Sequence, residues 1–250
     1  MMKYLSALAL GLTLALGGNT LVAQSRCRAV SMQWGMTAGL NIGATAPLPI
    51  PQEITKVHAW YPNTNGVIGL WGRMRFGSSP WGLLFGLESE RKAFSATTSV
   101  VKLPIHMPGF EGIEDMAFSG LQNTDLRTSY LTMPLTATFA SQNDRFVLQL
   151  GMYHSLLLSG SFRVKIDGDG TISDRPIAPN RILGFDFSDY VGAYDFGLRI
   201  GAEYFFTKNV GIAARFNFGI TPALREEFRS IPNRMHHMYG MIGASYRFGS

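Results

Sequence analysis

The residues able to do chemistry fall into one large set and three small clusters. The large set is charged: Arg73, Arg75, Glu88, Glu90, Lys92, Asp195, Arg199, Glu203, Arg215 and Arg247 recur at two-residue spacings within segments of alternating polarity. Residues two apart on an extended strand share a face, so both signs of charge are brought into one confined space, where they can pair. The first small cluster is His154–Ser155. Adjacent strand residues point to opposite faces, so these two cannot make a nucleophile–base hydrogen bond directly. The second is His236–His237, whose side chains diverge in the same way and which has no evident third ligand, so no metal is expected. The third, Lys165-Ile-Asp167-Gly-Asp169-Gly170-Thr-Ile-Ser173, has the Asp-Gly spacing of a calcium loop. Its first ligand position is Lys165 and its bidentate glutamate position is Pro176, so a Gly/Asp turn at a loop tip is the better reading. No catalytic residue, metal or cofactor is predicted.

Eight alternating segments carry these side chains. They are Ser31–Gly43, Gly66–Phe76, Trp81–Lys92, Leu126–Ala140, Arg145–Ser159, Tyr190–Phe205, Val210–Ile220 and Met238–Phe248. Short connections (77–80, 141–144 and 207–209) alternate with long ones (about 44–65, 93–125, 160–189 and 221–237). Short turns on one side and long loops on the other define an eight-stranded antiparallel up-and-down transmembrane β-barrel, with periplasmic turns, extracellular loops and both termini on the turn side. Hydrocarbon offers no partner to backbone N–H and C=O groups, so the sheet must close.

The charged, glycine-rich face would be costly to bury in a soluble core. It is assigned to the lumen, and the large apolar face to lipid. A lumen this narrow has room for little beyond side chains, so the charges are expected to plug it more than to line a pore. Trp34, Phe76, Trp81, Phe139, Phe146, Tyr204, Tyr246 and Phe248 lie on the apolar face near the short turns, as an aromatic girdle at the periplasmic boundary would. His154 is placed at the headgroup boundary.

Residues 1–23 read as a secretory signal, with Lys3 as the basic start, Leu5–Leu16 as the apolar run and cleavage after Ala23. That run is short of the roughly 20 residues a spanning helix needs. Residues 24–250 form the barrel domain. Cys27, the one cysteine, has no internal disulfide partner and is given no role. The net charge of +5 comes from 16 Arg against 6 Lys. A secreted destination argues against nucleic acid as the partner.

Three pieces occur in order: Ser129-Tyr-Leu-Thr-Met-Pro-Leu135, Gly151-Met-Tyr-His-Ser-Leu-Leu-Leu-Ser-Gly160 and Asp195-Phe-Gly-Leu-Arg-Ile-Gly-Ala-Glu-Tyr204. Together they resemble the PorT-like outer-membrane β-barrel family. The resemblance implies an eight-stranded barrel in the outer membrane of Gram-negative bacteria and leaves activity mostly undefined. The C-terminal Gly243-x-x-Tyr246-x-Phe248 is similar to the signal read by barrel-assembly machinery, although Gly249 and Ser250 follow the terminal aromatic.

The expected function is a non-enzymatic envelope protein that meets outer-membrane lipid and binds a partner through its loops. The alternatives are a transport or type IX secretion accessory similar to PorT, a narrow channel, and a lipid-modifying enzyme centred on His154. Loop 93–125, apolar through Pro104, His106, Met107, Pro108, Phe110, Ile113, Met116 and Phe118, is expected to form the functional surface together with 44–62 and 160–189.

Overall fold

The computed structural model describes residues 30–104, 117–166, 170–177, 182–228, 230–231 and 233–249. The signal segment, Cys27, Asp167, Asp169, Ser250 and most of the apolar tip of loop 93–125 lie outside these residues. Among the described residues there are twelve strands: β1 (Val30–Pro47), β2 (Ile54–Pro62), β3 (Asn65–Phe76), β4 (Trp81–Pro104), β5 (Ala117–Ala140), β6 (Phe146–Ile166), β7 (Thr171–Ile172), β8 (Arg175–Pro176), β9 (Leu183–Asp186), β10 (Tyr194–Phe205), β11 (Val210–Gly219) and β12 (Met235–Phe248). No helix among the described residues is long and apolar enough to cross a membrane.

Eight strands close into an antiparallel ring, β1–β3–β4–β5–β6–β10–β11–β12, and return to β1. The closing seam runs from Trp34 opposite Phe248 to Pro47 opposite Met235. Along the ring the alternation is read in burial. On β11, Val210, Ile212, Ala214 and Phe216 are exposed while Gly211, Ala213, Arg215, Asn217 and Gly219 are buried. On β10, Asp195, Gly197, Arg199, Gly201, Glu203 and Phe205 are the buried set. A soluble barrel buries its aliphatics. Here Leu135, Leu150, Ile200 and Ile242 are more than half exposed, which fits a hydrocarbon solvent.

The structure corrects several bounds. β1 runs four residues past Gly43, to Pro47, and β10 starts at Tyr194 because Ser188–Tyr190 form a 3-10 turn. The connection expected at 44–65 contains β2, which pairs with β4. The largest difference is at 93–125, where β4 and β5 continue as one long antiparallel ladder to Pro104 opposite Ala117. The physical reason is a reversal of polarity. Within the barrel wall Leu83, Phe85 and Leu87 of β4 and Leu131, Met133 and Leu135 of β5 point outward to lipid. Above it, Phe94, Val100, Phe118 and Leu126 point inward and are buried, while Ser95, Thr97 and Ser99 are on the outer face. β6 makes the same switch through a bulge: Tyr130 is opposite Leu157 and Ser129 is opposite Ser159, so Leu158 is skipped. That extra residue turns Phe162 and Ile166 inward.

Candidate functional site

The lumen is filled by side chains in tiers along the barrel axis. Nearest the short turns, Arg73 and Arg75 of β3 converge on Asp144 in the β5–β6 turn, at 3.4 and 2.7 Å. Arg247 of β12 donates to the Asp144 backbone carbonyl at 2.7 Å, and its guanidinium lies over the Phe205 ring. One turn residue thus ties three arginines from two strands across the periplasmic mouth. Just above, Trp71, Leu84, Ala140, Val147 and Phe205 form an apolar layer.

The middle tier is centred on Glu88. Arg199 donates from Nη1 to Oε1 at 3.1 Å and from Nη2 to Oε2 at 2.8 Å. Arg215 pairs with the same carboxylate, and Asn217 accepts from Arg199 Nε at 2.9 Å. In the upper tier Lys92 lies between Glu90, at 3.1 Å, and Asp195, at 2.8 Å. Its ammonium also stands over the rings of Tyr130 and Tyr153. Tyr153 donates to Asp195 at 3.0 Å, and Glu90 accepts from Thr132 at 2.6 Å and from Asn41 at 3.1 Å. His237 closes the tier, 2.7 Å from Thr45 Oγ1 and 3.1 Å from Tyr130 Oη.

The charged residues singled out in the sequence therefore fall into three groups: Arg73–Arg75–Arg247, Glu88–Arg199–Arg215, and Glu90–Asp195 joined by Lys92. Glu203 is buried and feels the charges of Arg215, Arg73 and Arg247, but forms no ion pair among the described residues. Sequence reasoning missed Asp144, which belongs to a turn and not to an alternating face. It also gave no lumenal role to His237, whose place on the polar face of β12 was the available signal.

The eight girdle residues all project outward and are exposed. The register brings Trp34 opposite Phe248, Trp81 opposite Phe139 and Tyr204 opposite Phe146. Trp81 and Phe139 meet edge to face with ring centres 5.2 Å apart.

His154 and Ser155 do point apart. Ser155 is buried against Thr132 Oγ1 at 2.7 Å, while His154 faces outward and stacks on Tyr194. His236 faces away from His237, with Nδ1 3.0 Å from the Gly219 carbonyl. Among the described residues no group of three His, Cys, Asp or Glu side chains could hold a metal ion.

The upper end of the lumen is capped by an apolar cluster in which Phe94, Leu126, Phe162, Phe187, Val191, Ala223, Leu224 and Met235 are buried and Phe228 and Ile231 pack against them. Residues from three of the four long connections build one structure above it. β2 adds to β4, β9 adds to β6, and β7 and β8 add to β5, so the barrel sheet continues upward on one side. At its foot, Asp186 accepts hydrogen bonds from Ser188 and Arg163, which hold its carboxyl below the usual carboxylate range. A cleft of about 430 Å³ opens beside the sheet between Leu224, Arg225, Phe228, Ile231 and Arg234.

A closed ring with a lipid-facing apolar wall, a filled polar lumen and an extension on the long-loop side defines an integral outer-membrane barrel. The chain belongs to the outer membrane protein β-barrel domain family, whose model matches residues 22–225, and its place is the outer membrane. No curated protein matches the sequence. Among solved structures it is similar to Ail, the attachment invasion locus protein of Yersinia pestis (13% identity, TM-score 0.39, covering 87% of this chain and 99% of that one). It is similar also to Neisserial surface protein A (12%, 0.34, 88% and 99%) and to the outer membrane protease OmpT of Escherichia coli (11%, 0.30, 91% and 99%).

Proposed function

We propose that this protein is a non-enzymatic, non-conducting barrel that holds a partner-binding sheet above the outer membrane. The observation that carries the reading is the merging of connections 44–65, 93–125 and 160–189 into one sheet that keeps apolar side chains exposed. Val57, Tyr61 and Val101 are each about half exposed or more. β2 pairs on one side with β4, and its other edge has no strand partner among the described residues, so its backbone groups are open to an incoming strand. The paired lumenal charges and the apolar cap support a plugged interior. The separation of Ser155 from His154 argues against a lipid hydrolase.

A second reading, a transport or secretion accessory similar to PorT, is favoured by one observation. The three family-like pieces lie on β5, β6 and β10, which are consecutive in the ring. In both readings the C-terminal strand β12 is the element offered to barrel-assembly machinery.

The test is complementation of a null strain with V57S/Y61S/V101S. These substitutions leave the barrel wall untouched, so the variant is expected to assemble at wild-type level and to fail to restore the envelope phenotype. Full restoration would overturn the partner-binding sheet. Loss of type IX cargo secretion in the null strain would select the second reading, and unchanged secretion would remove it.

A further inference from the structure

Above the last lipid-facing leucines the outer wall turns basic over three neighbouring strands. On β4, Leu87 is followed on the outward face by Ser89 and Arg91. On β5, Leu131 is followed by Ser129 and Arg127. On β6, Leu158 is followed by Ser159, Ser161, Arg163 and Lys165. The ladder places Arg91 opposite Ser129, Arg127 opposite Ser161 and Arg163 opposite Asp125. Arg91 and Arg127 are therefore diagonal neighbours across one strand pair, and Arg127 and Arg163 across the next. Diagonal neighbours stand about 7–8 Å apart, within reach of side chains this long.

The strip is one-sided. Among the described residues, β1, β10 and β11 carry no outward-facing Lys or Arg, and their upper lipid-facing positions are apolar, as at Ile42, Tyr194 and Phe218. Within the strip four cations face two carboxylates. Asp125 takes Arg127 Nε at 2.9 Å and Nη2 at 3.1 Å, and Asp186 takes Arg163 Nε at 3.2 Å. These contacts orient two guanidinium groups while leaving further N–H donors on each. Arg91 is exposed and has no ion pair among the described residues.

We infer that this strip, centred on Arg91 and Arg127 with Ser129 between them, is a binding site for the phosphate-bearing headgroup of an outer-leaflet lipid. Depth selects the ligand. The site begins one or two outward positions above the apolar belt, where an anionic headgroup layer lies against the wall. The planar fork of arginine matches phosphate oxygens bidentately, and serine hydroxyls supply neutral donors beside it. The apolar wall below takes the acyl chains of the same lipid. This site is independent of the partner-binding sheet, since Val57, Tyr61 and Val101 take no part in it.

The experiment uses the folded mature chain in nanodiscs of neutral phosphatidylcholine doped with bisphosphorylated lipid A or with its dephosphorylated counterpart. The readout is the number of doped lipids retained per barrel by native mass spectrometry. Wild type is expected to retain the phosphorylated lipid preferentially. Each arginine contributes about fivefold, so R91A/R127A should lower the preference by more than tenfold, and raised salt should weaken it. K56A/K102A removes two exposed cations outside the strip and should change nothing. Heat-dependent gel mobility reports folding, and R91K/R127K, which keeps the charge, should retain part of the preference if the alanine variant fails to fold. Equal retention of the two lipids overturns the inference. So does an equal loss in K56A/K102A, an unchanged R91A/R127A, or displacement by millimolar inorganic phosphate, which would mark a soluble ligand instead.

Discussion

Arg199 of β10 reaches across the lumen and grips Glu88 of β4 with both terminal nitrogens, although two strands, β5 and β6, separate β10 from β4 in the ring. Both residues are buried, so the pair acts as a crossbrace between walls that share no backbone hydrogen bonds. Removing one partner strands a charge in a low-dielectric interior, at a cost of about 3–5 kcal/mol. Glu88→Ala, which frees both Arg199 and Arg215, should lower unfolding stability by at least this amount in a urea titration of the folded barrel. Glu88→Leu combined with Arg199→Leu should recover part of the loss. A loss under about 1 kcal/mol for Glu88→Ala would mean that the brace is not formed.

The periplasmic girdle makes a separate prediction. Trp81 and Phe139 are directly opposite and in edge-to-face contact. A double-mutant cycle to alanine should give a coupling of about 0.5–1.5 kcal/mol. Additive losses would place the two rings apart.

The seam where the last strand meets the first depends on two facing glycines. Gly39 of β1 is opposite Gly243 of β12, and a Cβ at Gly39 would stand 2.8 Å from the Gly243 Cα and 2.9 Å from Met241 Sδ. Gly39→Val should therefore slow or block barrel closure, seen as loss of the folded band on an unheated gel. The outward neighbour Ala38→Val, facing lipid, should fold normally.

His154 and Ser155 give a chemical prediction. Ser155 hydrogen-bonds Thr132 within the lumen while His154 stacks on Tyr194 outside it. His154→Ala should leave the mass spectrum of cellular lipid A unchanged. A mass shift present in wild type and abolished in this variant would restore the enzymatic reading.

How much of this was legible in the sequence depends on the solvent each residue meets. Where lipid touches the wall, alternation is strong, and the eight ring strands, their short turns and the outward girdle can be read directly, as on β11 from Val210 to Phe218. Above the lipid the same strands reverse polarity. Phe94 and Leu126 turn inward while Thr97 and Arg127 turn out, so the pattern changes phase and the upper parts of β4 and β5, within 93–125, read as a loop. The Leu158 bulge hides the same switch on β6. In the lumen the charged residue types were visible, but their partners were not. Asp144 sits in a turn with no periodicity, and which carboxylate meets which arginine depends on strand stagger around the ring.

The central claim is that the interior is sealed: three charged tiers below an apolar cap, with function carried outside. Single-molecule conductance in planar bilayers tests it most directly. Wild-type barrel should insert without discrete current steps at moderate voltage, while Glu88→Ala, with its middle brace removed, should show intermittent openings. Stable, stepwise conductance from the wild-type protein would contradict the account.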